Sequence, residues 1–538
     1  MINTKKKIKI FGLYPIIFLI LFFILICNIY YIQSFPVNER KNITEQLWNS
    51  FLTSLFFIMI FGIGLNFIGN KIPFFNKLGL GFLLCILIPS FLVYKKIICE
   101  EIHEKLKFFI FEKKGINFAK IFIVVVVTGS ILNIERNLLK RVIIKFIPLS
   151  LLTILISFLA TGFLGYLLSY KPDSLIKKSR GPFIDSILFI SIPLTNGGTN
   201  LGINSLAEHP YKECCDIKKN KLKSIFLAPL ILARCLSIFL AGSLYLVFNK
   251  TKYSGKGYLE KQKQNNIVKN ISEDVLDYKN IGIRLLIILG IYSLCNMINK
   301  ILSFKDKTFG LDTMVYIIFV SLIIAGSLYL VFNKTKYSGK GHLEKQNNIV
   351  KNIYKNVLDY KNIGIGLLII LGIYYLCNMI NQILSFKDKT FGLDTMVYII
   401  FVSLIIKVFN LIPDEYQKYV VQTGKFMSIN FTAPALVALG LDTDFQILLS
   451  GITNYRIIFM VFVSLMTAIT VSFYLALLFN FNPLESSLIL GISSHSIGST
   501  GNIGVMSISN RMYLLPFAII ITRITGIFIF IFSSFYFY

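Results

Sequence analysis

Long apolar runs separated by short polar stretches dominate the chain. Most runs hold about twenty residues, the length that an α-helix needs to cross the hydrocarbon core of a bilayer. They end at clusters of Lys, Arg, Asn or Pro. This pattern predicts about 13 membrane-spanning helices, near residues 11–31, 50–69, 77–96, 116–134, 143–169, 224–248, 281–302, 314–332, 363–384, 395–413, 417–440, 456–480 and 512–537.

Two further apolar runs are interrupted in the middle. Residues 183–207 contain Pro193 and a stretch rich in Asn and Gly from 196 to 202, and residues 484–507 contain the polar stretch 495–504. The resulting pieces are too short to span singly. Irregular backbone is tolerated at membrane depth only where it is buried in protein or lines a cavity. The pattern therefore predicts two broken re-entrant hairpins.

An internal repeat fills the centre of the chain. Residues 241–324 recur as 325–406, with two residues lost and seven positions changed. The extra copy adds two spans, an even number, so the orientation of everything downstream is preserved. The changed pairs are Tyr258/His342, Ser272/Tyr354, Glu273/Lys355, Asp274/Asn356, Arg284/Gly366, Ser293/Tyr375 and Lys300/Gln382.

Without the duplication, the order is one leading span and then, twice, five spans with a broken hairpin. An odd number of spans inverts the second half relative to the first, and paired broken segments in inverted halves are typical of secondary transporters. We therefore expect an all-α polytopic membrane protein of two inverted five-span halves, each with a re-entrant hairpin. The expected segments are 1–48 (cytoplasmic N-terminus and first span), 49–248 (first half, hairpin 183–207), 249–324 (linker and first repeat copy), 325–406 (second copy) and 407–538 (rest of the second half, hairpin 484–507).

Composition agrees with a membrane protein, since 55% of the 538 residues are hydrophobic and 15% are charged. The formal charge of +28 does not indicate nucleic-acid binding, because the lysines lie in loops between spans. Four lysines between Lys5 and Lys9 precede the first span, which predicts a cytoplasmic N-terminus in the cell membrane. The eight cysteines show neither metal-ligand spacing nor a disulfide framework. The lipid bilayer is the expected partner, and no cofactor is expected.

The C-terminal block 483–526 resembles the signature of the 2-hydroxycarboxylate transporter family, the bacterial sodium–citrate and malate symporters. Residues 129–141 and 70–93 are similar to other parts of that family. The resemblance implies a secondary active symporter for a small 2-hydroxycarboxylate, coupled to Na⁺ or H⁺, that is not an enzyme and forms a homodimer. The positions at the family's spacing are Pro483, Glu485, Gly491, Gly498, Gly501, Val505, Ser507, Arg511, Met512, Leu514, Pro516, Phe517, Ala518, Arg523 and Gly526.

The chain departs from the signature at its centre. The family's G-G-x-G-D corresponds to residues 498–502, so Asn502 replaces the acidic residue, and Ser496 replaces the preceding Asn. The second arginine of some citrate carriers corresponds to Ile497. With Arg523 as the one cation left for the substrate, a malate- or lactate-like substrate is favoured over citrate. Loss of the acid leaves the coupling ion open between Na⁺ and H⁺.

A lone arginine in the last apolar run completes the expected site, because a guanidinium binds a carboxylate through two parallel donors. The glycine-rich stretches that interrupt the two predicted hairpins would present helix N-termini to an anion. Neutral oxygen atoms in the tips suit Na⁺. The expected substrate-binding residues are Arg523, Thr500, Ser499, Gly498, Asn196, Gly197, Gly198 and Thr199. The expected ion-binding residues are Ser496, Asn502, Gly501 and Asn200.

Other interpretations of the same residues stay open. Arg523 would be structural if it paired with Glu or with a helix C-terminus, and the glycines would serve helix packing alone. A membrane-embedded hydrolase would use a serine with His495, but adjacent residues on one helix point apart and no acid is near in sequence. The candidate serines are Ser493, Ser494 and Ser496. A transport-inactive, degenerate carrier is the third possibility.

Four further residues have expected roles. His495 is either a proton carrier or a hydrogen-bonded structural residue. Glu485 is expected to orient the second hairpin. Arg136 and Arg511 are expected to anchor helices at the membrane interface.

Overall fold

A computed structural model describes most of the chain. The described ranges are 10–73, 78–112, 117–172, 180–195, 219–255, 259, 278–305, 343–387, 395–495 and 498–537. The expected span at 314–332 and the polar part of the first hairpin, 196–207, lie outside them.

The described residues form helices throughout. The first part of the chain contains α1 (Pro15–Gln33), α2 (Val37–Leu47), α3 (Leu52–Lys71), α4 (Leu80–Tyr94), α5 (Glu100–Phe111), α6 (Phe118–Asn133), α7 (Arg136–Leu167), α8 (Pro182–Thr195) and α9 (Lys219–Phe248). The second part contains α10 (Tyr278–Lys305), α11 (Leu343–Lys387), α12 (Thr395–Phe409), α13 (Asp414–Asp442), α14 (Phe445–Thr453), α15 (Tyr455–Leu478), α16 (483–495), α17 (Gly498–Ile508) and α18 (Leu515–Phe537).

Nine helices within the described ranges are long and apolar enough to cross a membrane, and four more are apolar but shorter. This confirms an all-helical, multi-pass membrane protein. The total of 13 spans and the inversion of the halves stay predictions. The nine segments are Pro15–Gln33, Leu52–Lys71, Ile144–Leu167, Ile225–Phe248, Ile281–Lys300, Lys361–Ile383, Asp414–Asp442, Tyr455–Leu478 and Met512–Ile529.

One group of helices packs around α13, which contacts α3, α4, α6, α10 and α11. The approach of α13 to α6 is close because two glycines face each other. A Cβ added to Gly129 would lie 2.8 Å from the Cα of Gly424. Small residues at such crossings let helix backbones meet where lipid offers no hydrophobic drive to association. The polar amide of Asn430 reinforces the group by donating to the backbone oxygen of Tyr278 at 2.9 Å.

A second group surrounds the broken segments. Helix α7 packs on α8, α15 packs on α16, and α9 and α18 contact both α8 and α16. Helices α7 and α15 also pack on each other, and Ser157 Oγ donates to the backbone oxygen of Ser464 at 3.0 Å. The broken segments are therefore enclosed by protein on several sides, which is the condition for irregular backbone at membrane depth.

Candidate functional site

The two broken segments begin in the same way. Each has a proline at the start of its first turn, Pro182 in α8 and Pro483 in α16, where the missing N–H costs no helical hydrogen bond. Each then contains a π turn, at Ile187–Ser191 and at Ser487–Ile492. Such turns are rare in helices and are frequent at functional sites.

The described ends of the two segments contact each other. The last turn of α8, Ile192–Thr195, lies against the 3-10 turn Ser493–His495 that ends α16. Both turns are fully buried. Two interrupted helices therefore end at one place in the interior of the protein.

The expected site residues divide into three sets. Those outside the described residues are Asn196, Gly197, Gly198, Thr199, Asn200 and Ser496. Those placed by backbone alone, in the first turn of α17, are Gly498, Ser499 and Thr500. Those described in full and buried are Gly501, Asn502 and Arg523.

Asn502 joins α17 to its neighbours. Its Nδ2 donates to Thr522 Oγ1 on α18 at 3.3 Å, and Thr522 Oγ1 donates to the backbone oxygen of Ser493 at 3.3 Å. The Asn502 Oδ1 atom and the Ser493 hydroxyl are buried and have no hydrogen-bond partner among the described residues. Buried polar atoms are normally satisfied, so atoms of this kind mark a place where a ligand or an ion fits.

His495 lies in the same cluster and is completely buried. The Ser494 hydroxyl donates to the backbone oxygen of Leu490, so it accepts from His495 Nδ1 at 3.0 Å. The other ring nitrogen, Nε2, is therefore an acceptor, and none of the residues that the structure describes donates to it. This hydrogen-bonding does not match a nucleophile and its base, because the serine hydroxyl is directed to a backbone carbonyl.

Arg523 follows Thr522 directly and is only 9% exposed. It comes eight residues after the start of α18 at Leu515, which is about 12 Å along the helix axis. This places the guanidinium deep within the apolar segment Met512–Ile529. A charge at such depth is costly and is typical of substrate and ion pathways.

A second deeply buried arginine was missed by the sequence interpretation. Arg234 on α9 is 6% exposed and comes nine residues into the apolar segment Ile225–Phe248. The carboxylate of Asp442, at the end of α13, lies within electrostatic reach of it. Arg234, on a helix of the second group, is therefore under the electrostatic influence of a carboxylate on α13 of the first group. The signal that identified Arg523, a lone charge inside an apolar run, was equally present here.

An ion pair closes the base of the second hairpin. Arg511 Nε lies 3.1 Å from Glu485 Oε1, and the other carboxylate oxygen accepts from the backbone N–H of Gly255 at 2.9 Å. Arg511 Nη2 also donates to Asn249 Oδ1 and to Ser254 Oγ, both at 3.0 Å. The expected orienting role of Glu485 agrees with this arrangement. Arg511 was expected as an interfacial anchor, but it is buried in the pair.

Two cavities lie between the helix groups, near the N-terminal ends of α1 and α10. The larger has a volume of about 630 Å³, and its lining includes Phe11, Lys279, Asn430 and Ser507. The smaller, of about 250 Å³, shares four lining residues with it. The shared residues are Ser428, Ile429, Met512 and Tyr513.

Comparison with known proteins gives consistent matches over most of the chain. A malate transporter of Lactococcus lactis is 25% identical over 472 residues, which cover 87% of each chain. A citrate/malate–proton symporter of Bacillus subtilis is 24% identical over 88% of this chain and 83% of its own. A Na⁺–malate symporter of the same species is 23% identical over 87% of this chain and 82% of its own.

The family profile divides its match at the internal repeat. It matches residues 10–326 and, again, residues 314–535, so the two matches together include nearly the whole chain. The relatives that match along the same length are transporters and symporters. The chain therefore belongs to the 2-hydroxycarboxylate transporter family, and it is a membrane transporter and not an enzyme.

Proposed function

We propose that the chain is a secondary symporter that carries a small 2-hydroxycarboxylate of the malate or lactate type together with Na⁺. The observation that supports this most directly is the buried guanidinium of Arg523 beside the polar cluster at the meeting point of the two broken segments. Family membership supplies the reaction class.

Arg523 is the proposed carboxylate ligand. Its planar fork matches a carboxylate, and the nearby N-terminus of α17 favours a second negative group. The first-turn residues Gly498, Ser499 and Thr500, together with Asn196, Gly197, Gly198 and Thr199 of the first hairpin, complete the proposed anion site. Arg234 lies within electrostatic reach of Asp442, so Arg523 is the arginine proposed for the substrate. A single guanidinium favours a substrate with one or two carboxylates over one with three.

The coupling ion is proposed to be Na⁺ in preference to H⁺. Neutral amide and hydroxyl oxygens, such as Asn502 Oδ1 and Ser493 Oγ, bind a hard cation without needing to change their protonation state. Ser496, Gly501 and Asn200 are the further proposed ligands. The relatives include both a proton symporter and a Na⁺ symporter, so family membership alone does not choose between the ions.

The larger cavity is the proposed approach to the site. It opens beside Phe11 and Lys279, on the side where the lysine-rich N-terminus is expected to face the cytoplasm. In this proposal the structure is inward-facing, and the helix group around the broken segments moves against the group around α13. The inverted arrangement of the halves and a homodimer belong to the same proposal.

Uptake by proteoliposomes tests the proposal. Labelled malate, lactate and citrate are offered with a Na⁺ gradient, with a pH gradient and with neither. We expect malate or lactate uptake that requires Na⁺, is abolished by Arg523→Ala and is unchanged by Arg456→Ala, a partly exposed arginine at the start of α15. Uptake driven by the pH gradient alone would show that the coupling ion is H⁺ and not Na⁺. Absence of uptake with every substrate would indicate a transport-inactive carrier and contradict the proposal.

A further inference from the structure

Two helices with nearly the same sequence occupy different places in the protein. Helix α10 and its counterpart in α11, residues 360–387, differ at three of 28 positions. Helix α10 packs against α1 and α3, whereas α11 packs against α12 and α6, and both contact α13. Helix propensity and hydropathy are almost equal in the two copies, so these properties do not decide which helix takes which place.

The first deciding contact is between α10 and α1, which run in the same direction. Asn28 Nδ2 on α1 donates to Ser293 Oγ at 3.0 Å, and both residues are buried. One turn earlier, a Cβ on Gly290 would lie 2.2 Å from Leu21 Cδ2. This face of α10 is therefore fitted to α1, with no room for a large side chain at position 293.

The same face of α11 is open. Tyr375, the counterpart of Ser293, is 73% exposed, and a Cβ on Gly372, the counterpart of Gly290, would meet no atom within 4 Å. The phenol ring at this position also removes the small hydroxyl that Asn28 needs. Asn28 Nδ2 also donates to the backbone oxygen of Ile24, so loss of the serine would leave its second N–H unpaired. Because a buried N–H without an acceptor is costly, α1 has a clear preference for the first copy.

The second deciding contact is between α11 and α13. A Cβ on Gly366 would lie 2.3 Å from both Thr423 Oγ1 and the backbone oxygen of Tyr419. The Thr423 hydroxyl donates to the backbone oxygen of Ile363 at 2.9 Å, which holds the two helices at this distance. The counterpart of Gly366 in α10 is Arg284, whose side chain is exposed. An arginine has no space at the α11 position.

We propose that Ser293 and Gly366 assign the two near-identical helices to their places, Ser293 by admitting α1 to the first copy only and Gly366 by allowing the close approach of α13 at Thr423 to the second copy only. Single polar or small residues are known to fix the register and partner of otherwise similar helices. The two copies are therefore not interchangeable in the fold, because α10 packs against α1 and α3 and α11 packs against α12 and α6.

Reciprocal substitutions test the assignment, since each gives a helix the residue that the other copy already carries. We expect Ser293→Tyr and Gly366→Arg to lose the monodisperse protein peak in detergent and to lower the thermal midpoint. Their matched controls, Tyr375→Ser and Arg284→Gly, should leave both unchanged. The proposal would be overturned if Tyr375→Ser lowered the thermal midpoint as much as Ser293→Tyr does, or if Arg284→Gly lowered it as much as Gly366→Arg does.

Cross-linking tests the α1 contact without bulky substitutions. Asn28→Cys is combined with Ser293→Cys in one variant and with Tyr375→Cys in another, and linked peptides are identified by mass spectrometry. We expect a disulfide between positions 28 and 293 and none between 28 and 375. A disulfide in the second variant, or its absence in the first, would overturn the assignment of α1 to the first copy.

Discussion

The ion pair between Glu485 and Arg511 connects the two ends of the second hairpin and ties them to the segment after α9. Glu485 is fully buried, and Arg511 is 7% exposed. The carboxylate accepts from Arg511 and from the N–H of Gly255, while Arg511 has two additional neutral acceptors. Removal of one partner therefore leaves the other charge buried, and Arg511 is then the one with neutral acceptors and a small exposed fraction.

This difference sets the expected magnitudes. Breaking a buried pair from one side costs about 3–5 kcal/mol. Glu485→Gln should cost about 3 kcal/mol, because Arg511 keeps its two neutral acceptors. Arg511→Met should cost about 5 kcal/mol, because the fully buried carboxylate loses its ion-pair partner. The double variant should cost less than Arg511→Met alone, since no buried charge is then left without a partner.

Thermal unfolding in detergent would rank the stability of the three variants against that of the parent protein. Unfolding is followed by the fluorescence of a thiol-reactive or hydrophobic dye. Glu415→Gln is the matched control, because Glu415 is exposed and bonds only to the hydroxyl of a nearby tyrosine on α13. Uptake should fall in the order of the stability losses. If Glu485→Gln were as stable as Glu415→Gln, or if the double variant were the least stable, the assignment of the pair as the closure of the hairpin would be refuted.

Three further predictions concern other contacts. Gly424→Ala should cost about 1–3 kcal/mol through overpacking against α6, whereas Gly364→Ala, whose Cβ would meet no atom within 4 Å, should be neutral in the same thermal assay. Arg234→Gln should reduce uptake strongly while Arg456→Gln does not, because only Arg234 is a charge buried deep within an apolar segment. Burial lowers the pKa of His103 from its usual 6.5, so the unfolded chain binds a proton first as the pH falls. The contribution of the neutral His103 to the free energy of unfolding is thus retained above pH 6.5 and lost below it. His103→Gln should therefore reduce the difference between the thermal midpoints measured at about pH 7.5 and about pH 5.5.

The membrane helices could be predicted from the sequence because crossing length depends only on the run of apolar residues. The expected span 456–480, for example, corresponds to α15 at Tyr455–Leu478. Three short helices, α2, α5 and α14, were not predicted. They are amphipathic or polar, with cues such as Glu100 and Glu101 in the first turn of α5, and a search for apolar runs passes over them.

The site was only partly predictable. Arg523 could be identified because a charge inside an apolar run is conspicuous, and Arg234 was missed although it has the same property. The hydrogen bonds from Asn502 to Thr522 and from Thr522 to Ser493 connect three elements, so their existence depends on how α16, α17 and α18 pack. The same holds for the Glu485–Arg511 pair, whose members are 26 residues apart on opposite sides of the hairpin.

The two broken segments differ in sequence but share the same backbone geometry. The sequences after the prolines, PFIDSILFIS and PLESSLILGI, share few residues. Both nevertheless begin with proline, place an acid within the next three residues and enter a π turn four or five residues after the proline. A π turn rotates every later residue relative to a regular helix, and its hydrogen bonds are less favourable. Its occurrence at the same position in both segments therefore needs a common cause. The proposed inversion of the halves supplies that cause, because two copies of one ancestral hairpin would retain the geometry that directs their ends to a shared site after their residues had diverged.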